Sequence, residues 1–231
     1  MVYLQLPRLD NFSPCPYLKN RKSRIEFFFA ADLSPTEFNG FLASGWRRFG
    51  YFFFRPRCGE CRECVPIRII VDSFEPSRSQ RRILRKNSDL EALYVELGYR
   101  DEIFQIYAEH SRDRFAQEAE KEHFVQSFYP RAVPALQGEY YFKNELMAAG
   151  FLDRSSKALS SVYFFYKTAF NPFSPGTCSV LREIELTRQS GLLYYYLGYY
   201  IKDNRSMAYK NRFKPYELFD WETETWSRPE V

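Results

Sequence analysis

Histidine and glycine are scarce in this chain, and their scarcity removes whole classes of chemistry. Only two histidines, His110 and His123, occur in 231 residues, and the ten glycines are scattered. No G-x-S-x-G elbow, H-E-x-x-H pair or glycine-rich phosphate loop can be traced, which argues against serine-hydrolase, zinc-protease and P-loop readings. Long hydrophobic runs are missing as well. No apolar stretch approaches the roughly 20 residues of a membrane span, so no membrane partner is expected. The opening MVYLQLPRLDNFSP lacks a basic segment leading into an apolar one, so no secretory signal is visible and the cytoplasm is the expected compartment. Strong charge of either sign is absent too. A net charge of +4 and a pI near 8.7 are too mild to indicate a nucleic-acid partner alone.

What the chain has in excess is aromatic side chains, at 19% of residues, with 18 tyrosines among them. They concentrate in GLLYYYLGYYIKDNRSMAYKNRFKP (191–215), whose second half carries Lys202, Arg205, Lys210, Arg212 and Lys214. Aromatic planes beside fixed cations can stack a base, hold a phosphate or clamp a carboxylate. The plainer reading is a core strand running into a polar loop.

Five cysteines form an odd set. Cys58, Cys61 and Cys64 stand in a C-x-x-C-x-x-C run, whose two-residue gaps let thiolates converge on one metal. Structural zinc and [4Fe–4S] sites want four thiolates, and Cys15 is the candidate fourth. The alternative is a set of free thiols.

The pattern of elements is that of an α+β protein. RIEFFFAA (24–31) reads as a strand, and Ser34-Pro35-Thr36-Glu37 as a capping box opening a helix that ends near Gly45. RRFGYFFFRP (47–56) is expected to be a strand paired with VPIRIIVDSF (65–74). A second capping box, Ser77 to Gln80, opens a helix, and a longer helical region covers roughly 100–128. QGEYYFKN, ELMAAGFLDR and ALSSVYFFYKT then form a meander of three strands. Thr177 is expected to cap the helix CSVLREIELTRQS, and LLYYYLGYYI (192–201) follows as a buried strand. Three strands, a helix and a strand is the order of an acetyltransferase-type (GNAT) core. We therefore expect a GNAT-like mixed sheet with helices in the C-terminal half (101–231), packed against a cysteine-containing α/β half (1–100). The prolines of NPFSPGTCSV leave few free amides for a pyrophosphate, which argues against acetyl-CoA.

Arg78, Arg81, Arg82 and Arg85, extended by Lys86, share one helical face, and no acid lies within 77–88. Their mutual repulsion suits a phosphate backbone, to which arginine's fork is matched. The alternative is a solvated face balanced by Glu75, Asp89 and Glu91. His110 follows Ile103, Ile106 and Tyr107 at helical spacing, either as a core histidine or, with Tyr107, as a candidate for proton transfer.

Taken together, CPYL, GWRRFGYFFFRPRCGECRECVPIRI, PSRSQRRILRKN, GTCSVLREIEL and YYYLGYYI…SMAYKNRF resemble the aminoacyl-tRNA–protein transferases, in that family's order and over nearly the whole chain. The compact size resembles the bacterial branch, the aspartate/glutamate leucyltransferases; the longer eukaryotic members transfer arginine. The resemblance implies leucyl transfer from Leu-tRNA to proteins beginning with Asp or Glu, marking them for N-end-rule degradation. With a charged tRNA as donor, the basic helix is expected to hold tRNA phosphates; the resemblance also implies, in some relatives, an iron–sulfur cluster, for which Cys15, Cys58, Cys61 and Cys64 are the matching positions. Where eukaryotic members carry a cysteine pair, only Cys15 stands here, followed by Pro16 and Tyr17.

An aminoacyl ester is already activated, so peptide-bond formation requires no cofactor. Selection of an acidic N-terminus instead requires a positioned cation. Arg47 and Arg48 are one candidate pair and Lys210 and Arg212 another, with Tyr199 or Tyr209 lining the pocket. Arginyl transfer, and a non-catalytic RNA-binding protein with a metal knuckle, are the alternatives.

Overall fold

A computed structural model of the chain describes residues 1–229. β1 (Val2–Leu9) leads to a short ribbon of β2 (Ser13–Pro14) and β3 (Lys22–Ser23), then β4 (Ile25–Ala31) and α1 (Pro35–Ala43). The capping box at α1 forms as expected. The Ser34 hydroxyl accepts the Glu37 amide, and the Glu37 carboxylate accepts the Ser34 amide at 2.8 Å. Residues 47–56, expected as one strand, are instead a tight hairpin of β5 (Arg47–Phe49) and β6 (Phe52–Pro56). Gly50 makes the turn at φ +55°, and a Cβ there would come within 2.2 Å of the Gln126 carbonyl. β6 pairs with β4, closing a four-stranded antiparallel sheet in the order β1-β4-β6-β5.

β7 (Val65–Ile70) does not pair with that hairpin. It crosses into a second, eight-stranded sheet and lies between two strands that come much later in the chain. α2 (Arg78–Lys86) carries the second capping box, from Ser77 to Gln80, and β8 (Leu90–Val95) forms the far edge of the same sheet. The sheets therefore do not divide at residue 100, because β7 and β8 belong to the sheet built mostly by the C-terminal half. The helical region is broken into α3 (Asp101–Phe115) and α4 (Lys121–Phe128) by Ala116, which is left-handed at φ +51°. β9 (Ala135–Phe142), β10 (Glu145–Arg154) and β11 (Ala158–Tyr166) form the meander.

α5 (Pro175–Gln189) begins a turn earlier than Thr177, because Pro175 takes the first helical position, where its missing amide costs nothing. β12 (Tyr194–Tyr200) follows, then α6 (Arg205–Ala208), a 3₁₀ turn at Tyr209–Arg212, β13 (Tyr216–Phe219) and β14 (Trp226–Ser227). The large sheet runs β14-β13-β7-β12-β11-β10-β9-β8, and only β11 and β12 are parallel. Ile103, Ile106, Phe124 and Phe128 of α3 and α4 cover one face against Phe151 and Phe165. Val180, Leu181 and Ile184 of α5 cover the other against Ile67, Leu159 and Tyr195. The small sheet joins through Phe28, Phe53 and Trp46, which pack with Ala158 and Tyr196.

Candidate active site

The parallel pair β11–β12 holds together over three residues only, Ala158–Ser160 beside Tyr194–Tyr196. Beyond that point β12 stays with β7 and β11 stays with β10, so the two strands part. Both carry a bulge at the parting. The β11 register slips between Ser161 and Tyr163, and that of β12 between Tyr196 and Gly198. Bulges release backbone groups from the ladder, which is what a ligand cleft needs.

Arg47, on β5, reaches this opening and donates through Nη2 to the Ser161 carbonyl. Its side chain is buried, its Nη1 has no partner, and burial pulls its pKa down. Lys210 enters from the other side, donating from Nζ to the Tyr199 carbonyl at 2.7 Å and lying 3.2 Å from Met207 Sδ. Burial, followed by the Arg47 charge, brings its ammonium down to about 7. Between them Gly198 adopts φ +85°, and a Cβ there would sit 3.6 Å from Lys210 Nζ and 3.8 Å from Arg47 Nη2. No ion pair among the described residues includes either cation. Two buried cations thus face one point, one of them with an orphaned donor, an arrangement that an anion would neutralise.

The sequence pairs that suggested a receptor are thus split, one member of each converging. Arg48 is not available. It forms a buried ion pair with Asp153 and donates to the Gly50 carbonyl at 2.7 Å. Arg212 is exposed and lies against the basic helix, where its carbonyl accepts from Gln80 Nε2 at 3.2 Å. Tyr199 borders both cations, its carbonyl accepting from Lys210, its hydroxyl bound to the Gly45 carbonyl at 3.0 Å and its pKa pushed up by burial. Tyr209 instead turns its ring toward Phe213, at 6.4 Å between centroids.

His110 is a core histidine. It is buried, with Nδ1 3.1 Å from the Tyr166 carbonyl, and burial holds its pKa down. Tyr107, one turn earlier, diverges into an aromatic cavity of about 740 Å³ whose walls include Phe29, Phe49, Tyr51, Phe52, Phe128 and Tyr163. The helix therefore does not present His110 and Tyr107 to a common point. Packed rings lie between the cavity and Tyr199: Phe49 stacks on Phe54 at 5.8 Å, and Phe54 packs on Tyr199 at 6.4 Å.

On α2, Arg78, Arg81, Arg82, Arg85 and Lys86 are all exposed, and none joins an ion pair among the described residues. Arg81 donates to the Pro76 carbonyl and Lys86 to the Pro172 carbonyl, which tethers two of the five.

The four N-terminal cysteines share one neighbourhood. Burial, followed by Cys58, Cys15 and Cys61, pushes the Cys64 thiol up to about 12. Cys58 hydrogen-bonds the backbone of Arg24, and Cys15 accepts the Leu18 amide. Among the described residues no group of three or more His, Cys, Asp or Glu is arranged to hold a metal ion. The donor set suits zinc or iron–sulfur, and no step is assigned to such a group.

Sequence reasoning passed over Asp153 and Glu183. Both are acids set among apolar neighbours, Asp153 at the end of MAAGFLD and Glu183 on the stripe of Val180, Ile184 and Thr187. A carboxylate on such a stripe was the available signal.

A mixed sheet whose parallel pair opens under a helix is the architecture of GNAT-like acyltransferases. In agreement, the fold superimposes on FemX with a TM-score of 0.51 at 10% identity, over 90% of this chain and 84% of that one. L-PGS from Bacillus licheniformis gives 0.51 at 12% identity, over 79% of this chain and 55% of that one. Family models described as arginine-tRNA-protein transferase, N terminus and C terminus, match residues 13–82 and 100–220. The chain belongs to that family, and it is an aminoacyltransferase. It is 35% identical over 215 residues to the aspartate/glutamate leucyltransferase of Polynucleobacter asymbioticus, covering 88% of this chain and 87% of that one. With the protein of the same name from Helicobacter hepaticus it is 31% identical over 215 residues, covering 88% of each.

Proposed function

We propose that the protein transfers leucine from Leu-tRNA to the α-amine of proteins beginning with Asp or Glu, in the cytoplasm, and so creates an N-degron. The observation that carries the acidic preference is the convergence of Arg47 and Lys210 at Gly198. The carboxylate of the acceptor's first residue enters between the cations and accepts from Arg47 Nη1, which otherwise lacks a partner. A neutral side chain there would leave both charges desolvated and unmatched.

Held this way, the acceptor amine lies where β11 and β12 part, next to the backbone released by the β11 bulge. Amine and ester are brought together rather than chemically activated, since the ester already carries the energy of the bond. The five cations of α2, with Arg212 beside them, hold tRNA phosphates. Among the described residues no carboxylate lines the aromatic cavity, so it offers a leucyl side chain apolar contact and an arginyl guanidinium no counter-charge. That favours leucine over arginine as the donor. The cysteine quartet steadies the N-terminal half as a metal or cluster site, and anaerobic purification with metal analysis tests this apart from transfer.

The deciding experiment incubates the protein with labelled Leu-tRNA or Arg-tRNA and peptides beginning Asp, Glu or Ala. Leucine on the two acidic peptides alone is the expected result. Arginine on acidic peptides would replace the donor assignment, and tRNA binding without transfer would overturn the reading.

A further inference from the structure

A second group of unpaired cations surrounds the contact between the β2–β3 ribbon and the loop that leads into α6. Residues 11–25 hold Lys19, Arg21, Lys22 and Arg24 and no acid. The ribbon pairs Ser13–Pro14 with Lys22–Ser23, and the Cys15 amide donates to the Arg21 carbonyl at 2.8 Å, which closes the intervening loop. That loop docks on the later one, where Asn204 Nδ2 donates to the Tyr17 carbonyl at 3.0 Å. Lys202 and Arg205 stand on either side of Asn204 in the chain. Lys19, Arg21, Lys22, Lys202 and Arg205 are all exposed, and none joins an ion pair among the described residues. Asp203 lies among them, and the neighbouring cysteine loop adds Glu60 and Glu63 but also Arg62, which leaves the cations in excess. Asp10, just before the ribbon, is turned to the Ile25 amide at 2.7 Å. Two aromatic rings stand in this patch: Tyr17 is 37% exposed and Phe12 50%, with the Arg24 guanidinium 4.4 Å over the Phe12 ring. Exposed rings interleaved with cations suit single-stranded nucleic acid, whose bases stack while its phosphates are neutralised. α2 carries cations and no aromatic residue, which suits a paired backbone instead.

We infer that the β2–β3 ribbon, with Lys202 and Arg205, binds the unpaired 3′ end of the charged tRNA while α2 holds the paired stem, an assignment that rests on the leucyl transfer proposed for this site. Residues 202–212 join the two surfaces. This segment meets the ribbon at Asn204 and α2 at Arg212, whose carbonyl accepts from Gln80. Between those points Met207 touches Lys210, and Lys210 is bound to the Tyr199 carbonyl. An RNA held at both ends of the segment therefore passes Lys210, and the ester carried on its unpaired end is delivered beside the cations that hold the acceptor's carboxylate. Charge and rings together favour RNA over the acceptor polypeptide as the occupant. Each nucleotide brings one phosphate and one base, whereas an acceptor brings a single required acid, which Arg47 and Lys210 already match.

The test measures binding of intact tRNA, and of the same tRNA without its unpaired 3′ nucleotides, to wild type, Lys19→Glu/Arg21→Glu/Lys22→Glu, Lys202→Glu/Arg205→Glu and Tyr17→Ala. Wild type is expected to bind the intact RNA more tightly. That difference is expected to shrink in each charge variant, to vanish when the two are combined, and to persist in Arg81→Glu/Arg85→Glu. For intact tRNA, the slope of log affinity against log salt should become shallower by about 0.7 for each phosphate lost, the single-strand value. Tyr17→Ala is expected to weaken binding of intact tRNA alone, about fivefold or more for one unstacked base. The acceptor's KM for an Asp-peptide is expected to stay unchanged throughout. The charge variants lie on different segments, so either one that folds, by circular dichroism, decides the question, and Tyr17→Ala does so without altering charge. An undiminished difference between the two RNAs would overturn the inference, as would an equal loss for both. A raised acceptor KM with unchanged tRNA binding would overturn it as well and give the patch to the acceptor polypeptide. A wild-type protein that binds both RNAs as expected but transfers no leucine would overturn the function and leave this surface standing.

Discussion

Arg47 and Lys210 come from distant parts of the chain and meet across Gly198. Two like charges that share a buried site repel one another, with Asp153 offsetting Arg47 in part; the fold keeps them together because the β5–β6 ladder fixes Arg47 and the Tyr199 carbonyl holds the Lys210 ammonium. An entering carboxylate relieves the repulsion.

Arg47→Ala and Lys210→Ala are therefore expected to raise the acceptor's KM and erode the preference for an Asp-peptide over an Asn-peptide by about tenfold or more, from the roughly 1.5–3 kcal/mol of a charge-assisted contact. Arg212→Ala is expected to leave that ratio intact and to weaken Leu-tRNA binding. Steady-state kinetics on the two peptides separate these outcomes.

Arg48 behaves as a structural residue. Arg48→Ala strands the Asp153 carboxylate in the core and is expected to cost about 3–5 kcal/mol, whereas Arg48→Met with Asp153→Leu should recover most of it. Denaturant unfolding of the two variants checks this. A negligible loss in Arg48→Ala would show that water reaches Asp153.

The basic helix is expected to act through charge alone. An Arg81→Glu/Arg85→Glu variant should bind Leu-tRNA more weakly. The slope of log affinity against log salt should become shallower by about one for each phosphate the helix no longer neutralises. Unchanged affinity would return the helix to a solvated face.

Lys210 also sets a pH dependence of stability. Its folded pKa, about 7, lies below the ordinary 10.5, so between those values the unfolded chain binds the extra proton. Stability from this group accordingly rises with pH over that window, with a slope of up to about 1.4 kcal/mol per unit. Lys210→Met is expected to flatten the rise. Glu183 acts in the opposite sense: its folded value, about 7, is above the ordinary 4.5, so its contribution falls as pH climbs from 4.5 to 7. Thermal unfolding across pH in each variant reads both slopes.

The sequence by itself determined the local structure. Both capping boxes, the aromatic strands, the three-strand meander and the helix after it are written in residues that act over a few positions, as Ser34 does with Glu37 and Ser77 with Gln80, whereas the turn at Gly50 and the helix start at Pro175 emerged only in the structure. The exposed basic face of α2 was legible for the same reason, since helical spacing alone puts its cations on one side. Only the tertiary structure decided that β7 joins the large sheet instead of the neighbouring hairpin, because pairing depends on which edge remains free once the later strands have assembled. Likewise it decided which cations are free. Arg47 and Arg48 are adjacent and chemically identical, yet successive side chains on a strand point to opposite faces. One therefore meets Asp153 and the other the opening between β11 and β12.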